Sequence, residues 1–461
     1  MPPSIYPTGT TIYEPQKCWN GYTLFQAELN RKNGWGAVLI DMNGNVVNRW
    51  KGLDGMPNKM LPGGHIMGST GVRDFKYGFQ DMVDVVEVDW DGNIVWKFDR
   101  YELIKDPRQK PCWMARQHHD YQREGNPVGY YVPGMEPKVG GGRMLILCHK
   151  NLINPKISDK LLMDDTIIEV DEKGKITWEW TCSEHFEEMG FNSRAKTTIR
   201  RNPGISPMSG GKGDWMHMNS MSTLGPNKHY DKGDKRFHPD NIIWDGRQTN
   251  IIAIIDRKTG RIVWQLGPYF TANKVLREIG QIIGQHHAHL IPRGLPGEGN
   301  ILLFDNGGAA GYGAPNPGAP TGFDNARRDF SRVLELDPIT MEIKWQYPAP
   351  EPIPGGSRLY SSFVSSAQRL PNGNTMITEG NGGRIIEVTK EQEIVWEYIS
   401  PYEHRRFGMC LIYRAYRVPY DWAPQAERSK ETVVPLIKNK KFRVPRSPKK
   451  LKERVTKIKE G

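Results

Sequence analysis

Apolar and polar positions alternate along this chain in short runs, and one run recurs six times. It is a β-branched stretch, an acidic residue, a turn, and a hydrophobic pair ending on tryptophan. The copies read VLIDMNGNVVNRW to Trp50, VVEVDWDGNIVW to Trp96, IIEVDEKGKITW to Trp178, IIAIIDRKTGRIVW to Trp264, VLELDPITMEIKW to Trp345 and IIEVTKEQEIVW to Trp396. Period-two alternation on both sides of a turn describes two half-buried strands. Asn43-Gly44, Asp91-Gly92, Lys173-Gly174 and Thr259-Gly260 supply positive φ at little cost. Each copy is therefore predicted to be a β-hairpin.

A hairpin alone is marginal in water, so each needs further strands. The intervening text supplies apolar candidates at 61–69, 143–150, 250–256, 300–308 and 369–380. Repeated units of several strands are the signature of a β-propeller. Tryptophan spacings of 46 to 86 residues require long insertions in several blades. The chain is thus expected to be all-β, a six-bladed propeller over 21–425 with an N-terminal extension at 1–20 and a basic tail at 426–461. A pair of β-sandwiches is the competing architecture. Residues 271–285 form the one clear helical candidate, with Val275, Ile279, Ile282 and Ile283 on one side. The Pro/Gly-rich stretch 311–324 reads as a loop covering the channel mouth.

Composition narrows the class. Hydrophobic content of 37% with 49 glycines and 34 prolines suits turn-rich β structure. The net charge of +11 suggests nucleic acid, but Lys438 to Gly461 holds eleven Lys or Arg against two Glu. About +2 remains for the body, so a basic tail that contacts a partner subunit fits better than a nucleic-acid surface. No membrane span and no secretory leader is evident in the sequence. Five scattered cysteines without CxxC spacing read as reduced thiols, and a cytoplasmic location is expected.

Twelve histidines are present, and six fall in three clusters: His118-His119, His217 in DWMHMNS, and His286-His287 with His289. Equivalent places in successive blades point to a common axis, so imidazoles from three blades should meet at the channel. Two chemistries stay open at this point. A neutral imidazole can accept an acyl, phosphoryl or sulfuryl group if a neighbour holds its other nitrogen. Alternatively His119 and His217, with His286, His287 or His289, can serve as ligands to a metal in a lyase or hydrolase. Arg247 favours the first, because a guanidinium repels a cation and forks onto sulfate or phosphate oxygens. A non-catalytic binding propeller is the third reading.

These residues resemble the bacterial arylsulfate sulfotransferase family, PAPS-independent enzymes built on a six-bladed propeller. The resemblance is carried by HHD at 118–120, DWMHMNS, DNIIWDGR, QHH followed by NILLFDNGG, and AQRLPNGNTMITEGNGGRIIEV, within about 20–400. It implies that His286 accepts sulfate as a transient sulfohistidine. His217, Asn219, Arg247 and one His of the HHD pair, favoured as His119, would bind the sulfate, with His118 and His287 as further candidate contacts, and His119 or His217 would also exchange the proton with the phenolic oxygen. Serines stand at 361, 362 and 365 where the family has threonine, which makes Ser362 a candidate contact. The implied substrates are an aryl sulfate and a phenol, exchanged in a ping-pong sequence without a cofactor.

Overall fold

The computed structural model describes residues 7–30, 34–204, 212–308, 310–312, 328–349, 359–404, 408–428 and 430–435. The basic tail from Lys438 and most of the 311–324 loop lie outside them. Six antiparallel sheets of four or five strands form six blades. From the innermost strand outward, blade 2 is Asp54–Leu61, His65–Ser69, Val85–Val88 and Ile94–Phe98. Blade 3 is Gln117–Arg123, Met144–Asn154, Ser158–Val170 and Ile176–Thr181, and blade 4 is Met218–Thr223, Ile242–Gly246, Ile251–Ile255 and Ile262–Leu266. Blade 5 is His286–Leu290, Ile301–Asp305, Arg332–Leu336 and Ile343–Tyr347. Blade 6 is Ser366–Arg369, Thr375–Glu379, Arg384–Val388 and Ile394–Ile399.

Blade 1 closes the ring. Its outer strands, Tyr22–Asn30, Gly34–Ile40 and Val46–Lys51, come from the start of the chain, and its innermost strand, Ala415–Val418, comes from the end. The segment read as an extension ahead of the propeller enters it: Gly9–Tyr13 pairs with Ile394–Ile399 as a fifth strand of blade 6. The Thr11 hydroxyl donates to Glu397 at 2.6 Å across that edge, and Tyr13 exchanges backbone hydrogen bonds with Val434.

The recurring tryptophan has a structural reason. In five of the six phrases the closing indole N–H donates to a carbonyl in the hairpin turn of the next blade: Trp50 to Trp90, Trp96 to Glu172, Trp264 to Pro338, Trp345 to Lys390 and Trp396 to Met42, at 2.8–3.2 Å. The last of these links blade 6 back to blade 1. In blade 3 the clamp is Trp180, which donates to Gly260 at 2.8 Å, and not Trp178. That strand runs two residues further, and period two puts both rings on one face, where Arg257 covers Trp178.

The turns match their sequence reading. Gly44, Gly92, Gly174 and Gly260 have φ between 73° and 89°. Asp41, Asp89 and Asp171 fix three of them by accepting the amide N–H four residues on. The apolar core is divided among the gaps between blades; blades 3 and 4, for example, share Leu147, Ile167, Trp180, Trp244 and Ile251. The axis is left to polar side chains.

The helical expectation at 271–285 is corrected. The helix is Lys274–Ile279, ended by Gly280 at φ 73°, with Val275 exposed and Ile282–Ile283 beyond it. A second helix, Ser193–Arg201, starts at an Asn192 cap and buries only Ala195 and Ile199, too narrow a stripe to read from periodicity.

Candidate active site

The innermost strands of blades 3, 4 and 5 all begin with an irregular register, between Gln117 and Tyr121, Met218 and Ser220, and His286 and His289. At these bulges His119, His217 and His287 have φ of 55°, 54° and 57°. Non-glycine residues rarely take this conformation, and a bulge re-aims the side chain beside it. The bulges bring His119, His217 and His286 from three blades to one small cavity. Gln80, Arg247, Phe363 and Val364 complete its wall, and its volume is about 20 Å³, little more than one water needs.

His286 is held in one tautomer. Asn306 Nδ2 donates to the Ser361 and Val364 carbonyls at 2.7 and 2.8 Å, so its Oδ1 is what faces His286 Nδ1, at 2.7 Å. The Gly284 carbonyl lies 3.0 Å from the same nitrogen. Nδ1 therefore carries the hydrogen, and the lone pair sits on Nε2, at the cavity, where it accepts the Val364 N–H at 3.2 Å. Burial and then the Arg247 guanidinium hold the imidazole well below its ordinary pKa, so it stays neutral. Val364 itself has φ 57°, an outlier for a β-branched residue.

His217 is oriented by Asp214, whose Oδ2 lies 2.6 Å from its Nδ1. Burial works to raise the Asp214 carboxyl, but the His217 ring outweighs it and keeps it below its usual range. His119 stands edge-on to His217 with ring centroids 4.5 Å apart, and its Nδ1 lies 2.9 Å from His118 Nδ1. Burial, then His217, keeps His119 well below the ordinary histidine pKa. Arg247 lies in the turn after the second strand of blade 4, not on an inner strand, and its N–H donates to the His217 carbonyl at 2.9 Å. Gly284, at φ 60°, lies against the Arg247 side chain; a Cβ there would come within 3.2 Å of Ala310.

The arrangement is a neutral imidazole whose Nε2 lone pair faces the cavity and accepts one backbone N–H, beside a guanidinium and two further imidazoles. The family model for arylsulfotransferase (ASST) matches residues 138–404, which take in His217, Arg247 and His286. The chain belongs to the arylsulfotransferase family. No curated protein sequence matches it. Among solved structures it is similar to a protein of unknown function from Bacteroides caccae, at 12% identity and a TM-score of 0.45, covering 87% of this chain and 99% of that one. Quinohemoprotein alcohol dehydrogenase from Comamonas testosteroni aligns at 14% identity and 0.32, covering 80% and 57%. A streptogramin B lyase aligns at 11% and 0.35, covering 83% and 89%.

Not every residue named by the resemblance to arylsulfotransferases reaches the cavity. Asn219 donates instead to the Gln285 carbonyl at 2.8 Å, tying blade 4 to blade 5. His287 Nδ1 is 3.0 Å from the Ala367 carbonyl, and His289 Nε2 is 2.9 Å from the Tyr130 hydroxyl; both belong to a separate group further along the channel. Ser362 lies beside Asn381, Ser361 donates to the Phe363 carbonyl, and Ser365 accepts the Gly380 N–H. His118 turns away from the cavity. Aromatic residues near the histidine clusters in sequence do not line the cavity: Tyr131 stacks on Trp19, and the Trp215 indole donates to Asp164 at 2.8 Å in the core. Phe79 packs on His217 in their place, with half-exposed Phe75 against it.

The metal set of His119 and His217 with His286, His287 or His289 is not assembled. Among the described residues the His, Cys, Asp and Glu atoms that lie within 4.8 Å of one another are those of His118, His149 and Asp165. The His118 and His149 rings stack with centroids 3.6 Å apart and planes at 10°. An imidazole lone pair lies in the ring plane, so two stacked parallel rings cannot both aim at one cation.

The Asn306 carboxamide, in a Gly-rich stretch between strands, is what fixes the His286 tautomer. Asn306→Ala is expected to slow single-turnover release of 4-nitrophenol from 4-nitrophenyl sulfate on the order of 10²-fold, while leaving thermal unfolding cooperative.

Proposed function

We propose that this arylsulfotransferase-family protein moves a sulfuryl group from an aryl sulfate to a phenol through a sulfohistidine on His286. The observation that carries this reading is the fixed His286 tautomer, with Nε2 unprotonated at the cavity beside Arg247. Nε2 attacks sulfur as the bond to the aryl oxygen breaks, and the phenol leaves with a proton. A second phenol then attacks the sulfohistidine, gives up its proton, and departs as the new aryl sulfate. Arg247 and His217 bind the sulfuryl oxygens, whose charge develops where the guanidinium already stands. His119 exchanges the proton with the phenolic oxygen. The cavity is too small to enclose an aryl ring, so the ring lies toward Phe75 and Phe79.

The test is steady-state kinetics with 4-nitrophenyl sulfate as donor and a phenol as acceptor, both varied. A ping-pong route gives parallel double-reciprocal lines and an exchange of label between donor and free 4-nitrophenol without acceptor. Intersecting lines with no exchange would mean direct transfer and would remove the sulfohistidine from the scheme.

A further inference from the structure

Behind His119 a row of buried groups leads away from the cavity and has no part in binding sulfate. His119 Nδ1 and His118 Nδ1 are 2.9 Å apart, so one of the two carries a hydrogen and the other accepts it. On the far side of the same ring His118 Nε2 is 3.0 Å from Asp165 Oδ1, a close approach that is not aligned as a hydrogen bond in the resting fold, and among the described residues neither buried atom has a hydrogen-bond partner. Asp165 Oδ2 is fixed by the Met218 N–H at 3.0 Å, which leaves Oδ1 for His118. His149 stacks beneath His118 with its Nδ1 held by Asp81 at 2.6 Å. All of these side chains are fully or almost fully buried.

We propose that Asp165, His118 and His119 form a proton relay to the reacting aryl oxygen, with Asp165 as the group that holds the proton between half-reactions. This rests on the sulfotransfer reading above. In the donor half-reaction the S–O bond breaks and the S–Nε2 bond to His286 forms. The aryl oxygen takes the proton of His119 Nε2, His119 Nδ1 takes that of His118 Nδ1, and His118 Nε2 takes that of Asp165 Oδ1 as the carboxyl turns into line with the ring. Both imidazoles exchange tautomers and neither becomes charged; Asp165 ends as the carboxylate. The acceptor half-reaction runs the same shifts backwards, and the proton returns to Asp165.

The electrostatics favour that division of labour. Burial first, with His217 adding, pushes His118 down to about 3, and His119 also lies well below the ordinary range, so neither ring stores a proton. Burial pushes the Asp165 carboxyl up to about 7, against the pull of His149. A proton resting there leaves Arg247 as the cation at the sulfuryl group. His118 and Asp165 are positioning and relay residues, and His119 is the one that touches substrate.

The consequence is a dependence on the leaving group. A weakly basic phenol, such as 4-nitrophenol, leaves without much help, whereas unsubstituted phenol needs its proton in the transition state. Single-turnover sulfation of the protein from 4-nitrophenyl sulfate and from phenyl sulfate is therefore compared for wild type, Asp165→Asn and His118→Gln. Each variant should lose no more than about threefold with the first donor and about 10²-fold with the second. In wild type the phenyl sulfate rate should fall as pH rises through about 7, the value to which Asp165 is raised, because the protonated carboxyl is the reactive form. The 4-nitrophenyl sulfate rate should stay flat. The titratable groups facing Asp165 are His118, His149 with Asp81 behind it, Asp214 with His217, Asp164 and Cys182.

Equal losses with both donors, or no loss with either, would overturn the relay while leaving the sulfohistidine in place. So would stoichiometric metal in wild type that disappears in Asp165→Asn, since that would make the group a ligand set. A wild type that acquires no sulfate from either donor would remove the underlying reading as well. The wild-type pH profile decides the matter even if both variants fold poorly.

Discussion

His286→Asn is expected to lower turnover by roughly 10⁴–10⁶-fold, the scale of loss when a covalent catalyst loses its nucleophile. Asparagine is the informative replacement because its Nδ2 can donate to Asn306 Oδ1 as His286 Nδ1 does. The bond that orients the ring is kept, while the nitrogen that would bond to sulfur is gone. Arg247, His217 and His119 remain, so binding of the aryl sulfate should change far less than the rate. Initial rates with 4-nitrophenyl sulfate, taken alongside thermal midpoints, check this. Retention of more than a few per cent of wild-type activity would point to another nucleophile or to direct transfer.

The second large effect is on stability and comes from Asp120. Its Oδ1 accepts Lys59 Nζ at 2.6 Å and the Tyr121 N–H at 2.9 Å; its Oδ2 accepts Arg414 Nη1 at 2.9 Å and the Met221 N–H at 3.2 Å. Lys59 is on the innermost strand of blade 2, Asp120 of blade 3 and Met221 of blade 4, and Arg414 leads into that of blade 1. One carboxylate thus joins four blades across the channel. Lys59 and Arg414 are 5% and 1% exposed, so neither can turn to water when the carboxylate is removed. Asp120→Ala is expected to cost about 3–5 kcal/mol, the penalty for stranding buried charge. Asp120→Asn, which still accepts hydrogen bonds, should cost less. Denaturant titration measures both, and a loss below about 1 kcal/mol for alanine would mean that water reaches the two cations.

The hairpins were legible because their strands alternate between a packed face and an open one. The innermost strands were not. QHHDYQR, MNSMST, HHAHL and SAQR are buried on both faces with polar side chains paired across the channel, so no period survives. The histidine clusters could be read as a ring because they recur in step with the blades. Which ring of each pair turns inward could not be derived from spacing, since positive φ at His119 and His217 comes from bulges that leave no glycine behind. Arg247 was found by its chemistry, although it sits on a turn.

The misreadings share a cause. Asn306, in a Gly-rich stretch, looked like a turn former, and its role depends on carbonyls of Ser361 and Val364 more than fifty residues away. Asp165 sits in the alternating run of blade 3 and acquires its meaning from His118 across the sheet. Lys59 and Arg414 meet Asp120 only when the ring closes. Ser362, Asn219 and His287 carried the right chemistry in the right blade and point elsewhere, because a shift of one residue on a strand turns a side chain to the opposite face.

The central claim is covalent sulfation of His286, and mass spectrometry tests it most directly. The protein is incubated briefly with 4-nitrophenyl sulfate without an acceptor, kept at alkaline pH to preserve the sulfamate-type S–N bond, and analysed intact and as peptides. The expected result is a gain of about 80 Da, one SO₃ group, on the peptide that carries His286, discharged by added phenol and absent from His286→Asn. A stable adduct on another residue, or 4-nitrophenol release with no adduct at any time, would contradict it.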